Sequence, residues 1–148
     1  MLIDITSRLN EPEIQELISY AVFPDPEQLN HVIAQYQSVQ SGQEIFGYTS
    51  DDDEDDQTII GIIGSILNDQ KVLTIQHIAV LPEDRGKGYG RGMILELLHM
   101  KQPTTIVAET DEEAVQFYRS IGFTIASLGE VYAGVERFQC SYEVDDEE

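Results

Sequence analysis

Ile14, Leu17, Ile18, Ala21 and Val22 recur three and four residues apart, and Asn10 stands ahead of them as an N-cap with Glu13 three positions on. That spacing predicts an amphipathic helix. A second helix follows, with Asp25 as its cap, Pro26 in its first turn, Leu29, Val32, Ile33 and Tyr36 along one face, and Gly42 as its stop. Glu44 to Thr49, Thr58 to Leu67 and Val72 to Val80 are rich in β-branched and apolar residues, and Asn68-Asp69 forms a turn between the last two, which predicts an antiparallel meander. Then come a helix carrying Gly90, Met93, Ile94, Leu97 and Leu98, a strand from Thr105 to Glu109, a helix from Ala114 to Ile121, and two closing strands. In the last strand Phe138, Cys140, Tyr142 and Val144 alternate with Arg137, Gln139, Ser141 and Glu143, so Cys140 reads as a core position. A meander followed by one strand-helix-strand crossover implies a mixed, mostly antiparallel sheet with helices on both faces, an α+β (α/β mixed) fold. No linker interrupts the pattern, so one domain over residues 1–148 is expected.

Charge narrows the function. Eight Lys and Arg against 28 Asp and Glu give a formal charge of −20, which removes the basic surface that nucleic acid or an anionic membrane would require. The longest apolar stretch, Ile59 to Leu67, is far short of a membrane-spanning helix. Asp4 falls where an export signal would carry positive charge, and the single cysteine cannot form an internal disulfide; both point to a reduced, cytoplasmic setting. The acidic run from Asp51 to Asp56 is expected to be a solvated loop and the tail from Asp145 to Glu148 a solubilising end. A calcium loop starting at Asp51 would need Gly where Asp56 stands and Glu where Ile62 stands, so no metal is expected there.

The chemistry concentrates between Ile75 and Ile94, where a strand passes through a glycine-rich turn into a helix. Glycines fall at 86, 88, 90 and 92, and Arg85, Lys87 and Arg91 make a local cationic island in an acidic chain. Exposed amides at the start of a helix, with its positive dipole end, form an anion site. The P-loop pattern fails because Gly86-Lys87 is followed by Gly88 and Leu81 occupies the position of its first glycine. The dinucleotide pattern fails as well, since its third glycine would fall on Arg91, Met93 or Leu95.

Arg85-Gly-Lys-Gly-Tyr-Gly90, preceded by Ile78-Ala-Val80 and Pro82, resembles the Arg/Gln-x-x-Gly-x-Gly/Ala pyrophosphate loop of the GNAT superfamily of N-acetyltransferases. A second block, Ala114-Val-Gln-Phe-Tyr-Arg-Ser-Ile-Gly-Phe123, is similar to that family's Ala-x-x-Phe-Tyr-x-x-x-Gly-Phe segment. The resemblance runs over the whole chain and implies a GNAT-like seven-stranded, mostly antiparallel sheet flanked by about four helices. It implies acetyl-CoA as co-substrate, with the pyrophosphate on Arg85, Gly86, Lys87, Gly88, Tyr89 and Gly90 and with Arg91 just inside the helix. The pantetheine arm is then expected to pair with Ile78, Ala79 and Val80 like an added strand, in the gap where the fourth and fifth strands splay. Phe117 would line the channel. Tyr118 would stand near the thioester sulfur as the acid whose proton ends on the departing thiolate.

Direct attack by an amine in a ternary complex leaves no need for a cysteine nucleophile. The general base stays open among His77, Glu109, Glu130, Glu136 and water. The fourth strand offers Thr74, Gln76 and His77 where relatives place a Glu, and His77 shares strand parity with Ile75 and Ala79, which favours a structural role. Asp111 occupies a position where relatives carry an Asn, or belongs to a helix cap with Thr110 and Glu113. The acceptor is expected to be an amine of a small molecule or peptide, and the acidic field weakly favours a cationic one. A homodimer stays open, as do a catalytically silent coenzyme A sensor or scaffold and an acidic interaction protein with no ligand.

Overall fold

The computed structural model describes residues 2–22, 26–49, 58–112, 114–132 and 134–144. The acidic run at 51–56, the tail at 145–148 and the cap at Asp25 lie outside them. Seven strands form one sheet in the order β1-β2-β3-β4-β5-β7-β6. In chain order the elements are β1 (Leu2–Asp4), α1 (Pro12–Ser19), α2 (Pro26–Gln37), β2 (Gln43–Thr49), β3 (Ile59–Leu67), β4 (Val72–Val80), α3 (Tyr89–Lys101), β5 (Thr105–Asp111), α4 (Val115–Ser120), β6 (Thr124–Tyr132) and β7 (Val135–Glu143). The mixed sheet with four helices is the expected fold class. Among the described residues only β4 and β5 pair in parallel, joined by α3 as the crossover.

Several boundaries move for local reasons. Helix α1 starts after Glu11, not Asn10, because Pro12 with its fixed φ takes the first turn; no side chain caps it. Helix α2 stops at Gln37, and Gly42 instead closes a short 3-10 turn at φ 74°.

Two apolar layers sandwich the sheet. On one side Ile14, Leu17 and Ile18 of α1 and Val32, Ile33 and Tyr36 of α2 pack on Ile45, Ile59, Ile62 and Ala79. On the other, Met93, Ile94 and Leu97 of α3 and Val115 and Tyr118 of α4 pack on Phe46, Ile63, Leu73, Ile75, Ile106 and Cys140. Cys140 is fully buried, as its strand parity implies. Each fully buried Ile or Leu contributes about 1.5–3 kcal/mol, so both layers anchor the strands that carry the site.

One irregularity decides which residues face which layer. Gly64 pairs with His77 and Ser65 with Ile75, which leaves Gln76 as the extra residue of a β-bulge in β4. A bulge reverses side-chain parity beyond it. Leu73 and Ile75 therefore face α3, whereas Ala79 packs under α1 and α2 and His77 reaches Tyr36 of α2. The expected sharing of one face by His77 and Ile75 is thus corrected by the inserted residue.

Candidate active site

Pairing between β4 and β5 runs only from Val72↔Thr105 to Ile75↔Ala108. Beyond Ile75 the two strands part, and a cavity of about 940 Å³ opens between them. Residues 75 to 80 form one wall and Glu109, Thr110 and Asp111 the facing one. Tyr20 and Ala21, at the end of α1, reach it from one side of the sheet; the glycine loop, Phe117, Tyr118 and Ile121 reach it from the other.

The loop between β4 and α3 is built from unequal glycines. Gly86 and Gly88 have φ of 81° and 86°, and a Cβ on either would meet open space, so the backbone conformation is what demands glycine there. Gly90 and Gly92 answer to packing, since a Cβ would come to 3.1 Å from the Phe117 ring and 2.9 Å from the Tyr48 hydroxyl. Internal pairing resumes when the Gly92 amide donates to the Gly88 carbonyl at 3.0 Å. Among the described residues, the amides of Gly86 through Arg91 donate to no protein group. Unspent donors at the positive end of a 13-residue helix can receive an anion.

The three loop cations behave differently. Arg85 folds back, its Nε donating to the Val80 carbonyl at 2.9 Å and its guanidinium lying 5.2 Å from the Tyr20 ring centre. Its side chain therefore fastens the loop to the end of β4. Lys87 is exposed and pairs with Asp84 at 3.5 Å. Arg91 lines the cavity.

Opposite, Tyr118 is 4% exposed, packed edge-on against Phe117 and Phe123 and bordering the cavity. Burial, with a smaller contribution from the nearby Cys140, pushes its phenol well above the usual range. The hydroxyl stays protonated at any physiological pH. Burial also raises the Cys140 thiol, against a weaker opposing pull from Arg119, so this cysteine stays a thiol.

The candidate bases separate. His77 and Glu109 line the cavity; Glu130 and Glu136 do not. Glu136 accepts a hydrogen bond from Ser127, and Glu130 accepts one from the Gly134 amide at 3.4 Å, both in the β6–β7 hairpin. Glu109 accepts from Arg137 Nε at 3.1 Å. Asp111 accepts from the Ala114 amide at 3.1 Å, ahead of the first turn of α4, whose N-cap Ala114 has no side-chain cap; Glu113 lies outside the described residues. His77 accepts or donates at Nδ1, 2.6 Å from the Tyr36 hydroxyl, and burial lowers its pKa from the ordinary histidine value. That Tyr36 contact was not legible in sequence; Gly64 in mid-strand, marking a close approach, was the available signal.

Among the described residues no group of three or more His, Cys, Asp or Glu could hold a metal ion, and no helix is long and apolar enough to cross a membrane. A search of the curated proteins finds no match. Among solved structures, a candidate GNAT-family acetyltransferase from Desulfovibrio desulfuricans superposes with a TM-score of 0.75 at 18% identity, covering 98% of this chain and 99% of that one. The spermidine N-acetyltransferase SpeG chimera from Vibrio cholerae and hSSAT gives 0.72 at 17% identity, over 97% and 96%. A candidate streptothricin acetyltransferase from Bacillus anthracis, in complex with acetyl coenzyme A, gives 0.60 at 23% identity, over 70% and 64%. The family model described as acetyltransferase (GNAT) domain matches residues 43–125, from the start of β2 into β6, and the chain accordingly belongs to the GNAT acetyltransferase family.

Proposed function

We propose that this chain moves the acetyl group of acetyl-CoA to a primary amine of a small molecule or peptide, by direct attack in a ternary complex. One observation carries the reading: Gly86, Gly88, Tyr89, Gly90 and Arg91, whose amides are unpaired, line the same cavity as Tyr118 and the unpaired edge of β4. The amides of Gly86 to Gly90, with Arg91, suit a pyrophosphate, whereas the Arg85 amide is already spent on the Pro82 carbonyl at 3.4 Å. Ile78, Ala79 and Val80, freed from β5, offer a pantetheine arm main-chain partners, and Phe117 closes the channel beside Gly90. Relatives of the same fold support the donor, one of them holding acetyl coenzyme A.

The amine nitrogen attacks the thioester carbon, the C–S bond breaks to release the thiolate, and the nitrogen's proton passes to a basic side chain or water and ends on the sulfur, giving the amide and free coenzyme A thiol. A phenol near 10 already holds its proton against a thiolate near 8.5, and the burial of Tyr118 widens that difference. Tyr118 therefore stabilises the leaving sulfur by donating a hydrogen bond, with any transfer following sulfur departure. This revises the expectation that its proton simply ends on sulfur.

The test is release of free thiol from acetyl-CoA across an amine panel, run with Tyr118→Phe. Loss of a hydrogen bond to a charged sulfur should lower kcat about 10- to 100-fold while coenzyme A affinity holds. An enzyme that binds coenzyme A but releases no thiol with any amine would instead be a silent cofactor-binding module. Unchanged kcat in Tyr118→Phe would remove that residue from the chemistry.

A further inference from the structure

Tyr36 and His77 are brought together by two local features of the sheet. The bulge at Gln76 turns His77 toward α2, and Gly64, its register partner on β3, leaves the slot through which the Tyr36 ring reaches it. A Cβ on Gly64 would stand 2.5 Å from Cζ of Tyr36 and closer still to its hydroxyl oxygen. The ring is 3% exposed, and it meets the imidazole edge-on with centroids 5.5 Å apart.

The direction of the 2.6 Å contact follows from proton accounting. Were the phenol oxygen to accept from Nδ1–H, its own proton would need a second acceptor, and among the described residues it has none besides His77. Tyr36 therefore donates to Nδ1. A neutral imidazole carries one N–H, which then sits on Nε2. Tyr36 does not border the cavity and His77 does, and Nε2–H is the one polar group the His77 side chain has left to offer it. His77 also reaches the α1/α2 side of the sheet through Tyr36, whereas Tyr118 and Phe117 belong to the α3/α4 side. The donor occupies the latter, so the acceptor meets His77.

We propose that Tyr36 locks His77 as the Nε2–H tautomer and that His77 positions the acceptor by donating to an oxygen on it, so that the preferred substrate is an amine bearing a carbonyl, hydroxyl or carboxylate oxygen beside the reacting nitrogen. This rests on the amine-acetylation reading above. It removes His77 from the candidate bases, because Nε2 already holds its proton and Nδ1 faces Tyr36. A plain alkyl polyamine, which offers no oxygen, gains nothing from this group.

Two measurements test it. Nitrogen chemical shifts of His77 in the unliganded protein report the tautomer whether or not the enzyme turns over; an Nδ1–H assignment overturns the proposal. Kinetics then compare an α-amino amide with an alkylamine of similar length in His77→Ala, His77→Gln and His77→Asn, with coenzyme A affinity measured for each. Gln places an N–H donor where Nε2–H stands; Asn does not reach it. His77→Ala and His77→Asn should lower kcat/KM for the amide about tenfold more than for the alkylamine, and His77→Gln should restore the amide to within about threefold. Equal losses on both amines, or a Gln variant as slow as Ala, overturn the positioning role. Turnover of no amine by the unsubstituted enzyme overturns the acetylation reading instead, and the tautomer result stands separately from it.

Discussion

Gly64→Ala is the substitution that strikes the Tyr36–His77 unit hardest with the least chemical change. The new methyl would overlap the phenol, with Cζ 2.5 Å and Cε1 3.0 Å away, and the buried ring cannot rotate out without disturbing Val32 and Ile33 in the same layer. Overpacking of this kind costs about 1–3 kcal/mol. Displacing the hydroxyl strips the His77 Nδ1 of its partner, for about 1 kcal/mol more. At about 2–4 °C per kcal/mol for a chain of this size, the melting temperature should fall by about 5–15 °C. Thermal and urea unfolding of the single variant, of Tyr36→Ala and of the double variant complete a cycle. Tyr36→Ala alone should cost about 3–5 kcal/mol, and with the ring gone Gly64→Ala should cost under about 1 kcal/mol. If Gly64→Ala costs the same with and without the Tyr36 ring, the slot is not what selects glycine at this position.

Gly88→Ala forces a methyl into a φ of 86° with open space around it, so stability should drop by about 1–2 kcal/mol and coenzyme A affinity should fall with it; an unaltered affinity by calorimetry would show that the loop tolerates another conformation. Ser65 is fully buried with its Oγ unpaired, so Ser65→Ala should hold or raise stability by up to about 1–2 kcal/mol in urea unfolding, whereas a clear loss would reveal a hidden partner. Burial holds the folded-state pKa of His77 below the unfolded value near 6.5, so the unfolded chain takes up that proton first. The resulting stability is complete above pH 6.5 and declines as pH falls through the folded value; the stability gap between the unsubstituted protein and His77→Gln, measured from pH 7.5 to 5, should shift in that direction, and a gap independent of pH would contradict it.

Sequence reading located most of the strands because their apolar residues sit at regular period, and it located the loop because Gly86 and Gly88 need conformations other residues resist. It could not distinguish them from Gly90 and Gly92, whose reason is a neighbour, Phe117 or Tyr48, far off in sequence. Period-two parity failed at His77 because a single inserted residue, Gln76, reverses every side chain after it, and no local residue pattern announced the insertion. The short β1, three residues long, carries too little periodicity to be placed by pattern. Glu130 and Glu136 looked equivalent to Glu109 as carboxylates; only the pairing of β7 between β5 and β6 shows which one reaches the cavity.

The central claim is that the main-chain donors from Gly86 to Arg91 receive the diphosphate of the acyl donor. Titrating isotope-labelled protein with coenzyme A while following backbone amides tests it directly. Saturable shifts centred on residues 86–91, accompanied by those of 78–80 along the open edge of β4, are the expected result. Saturable binding that leaves those amides unmoved and perturbs another surface would contradict the account.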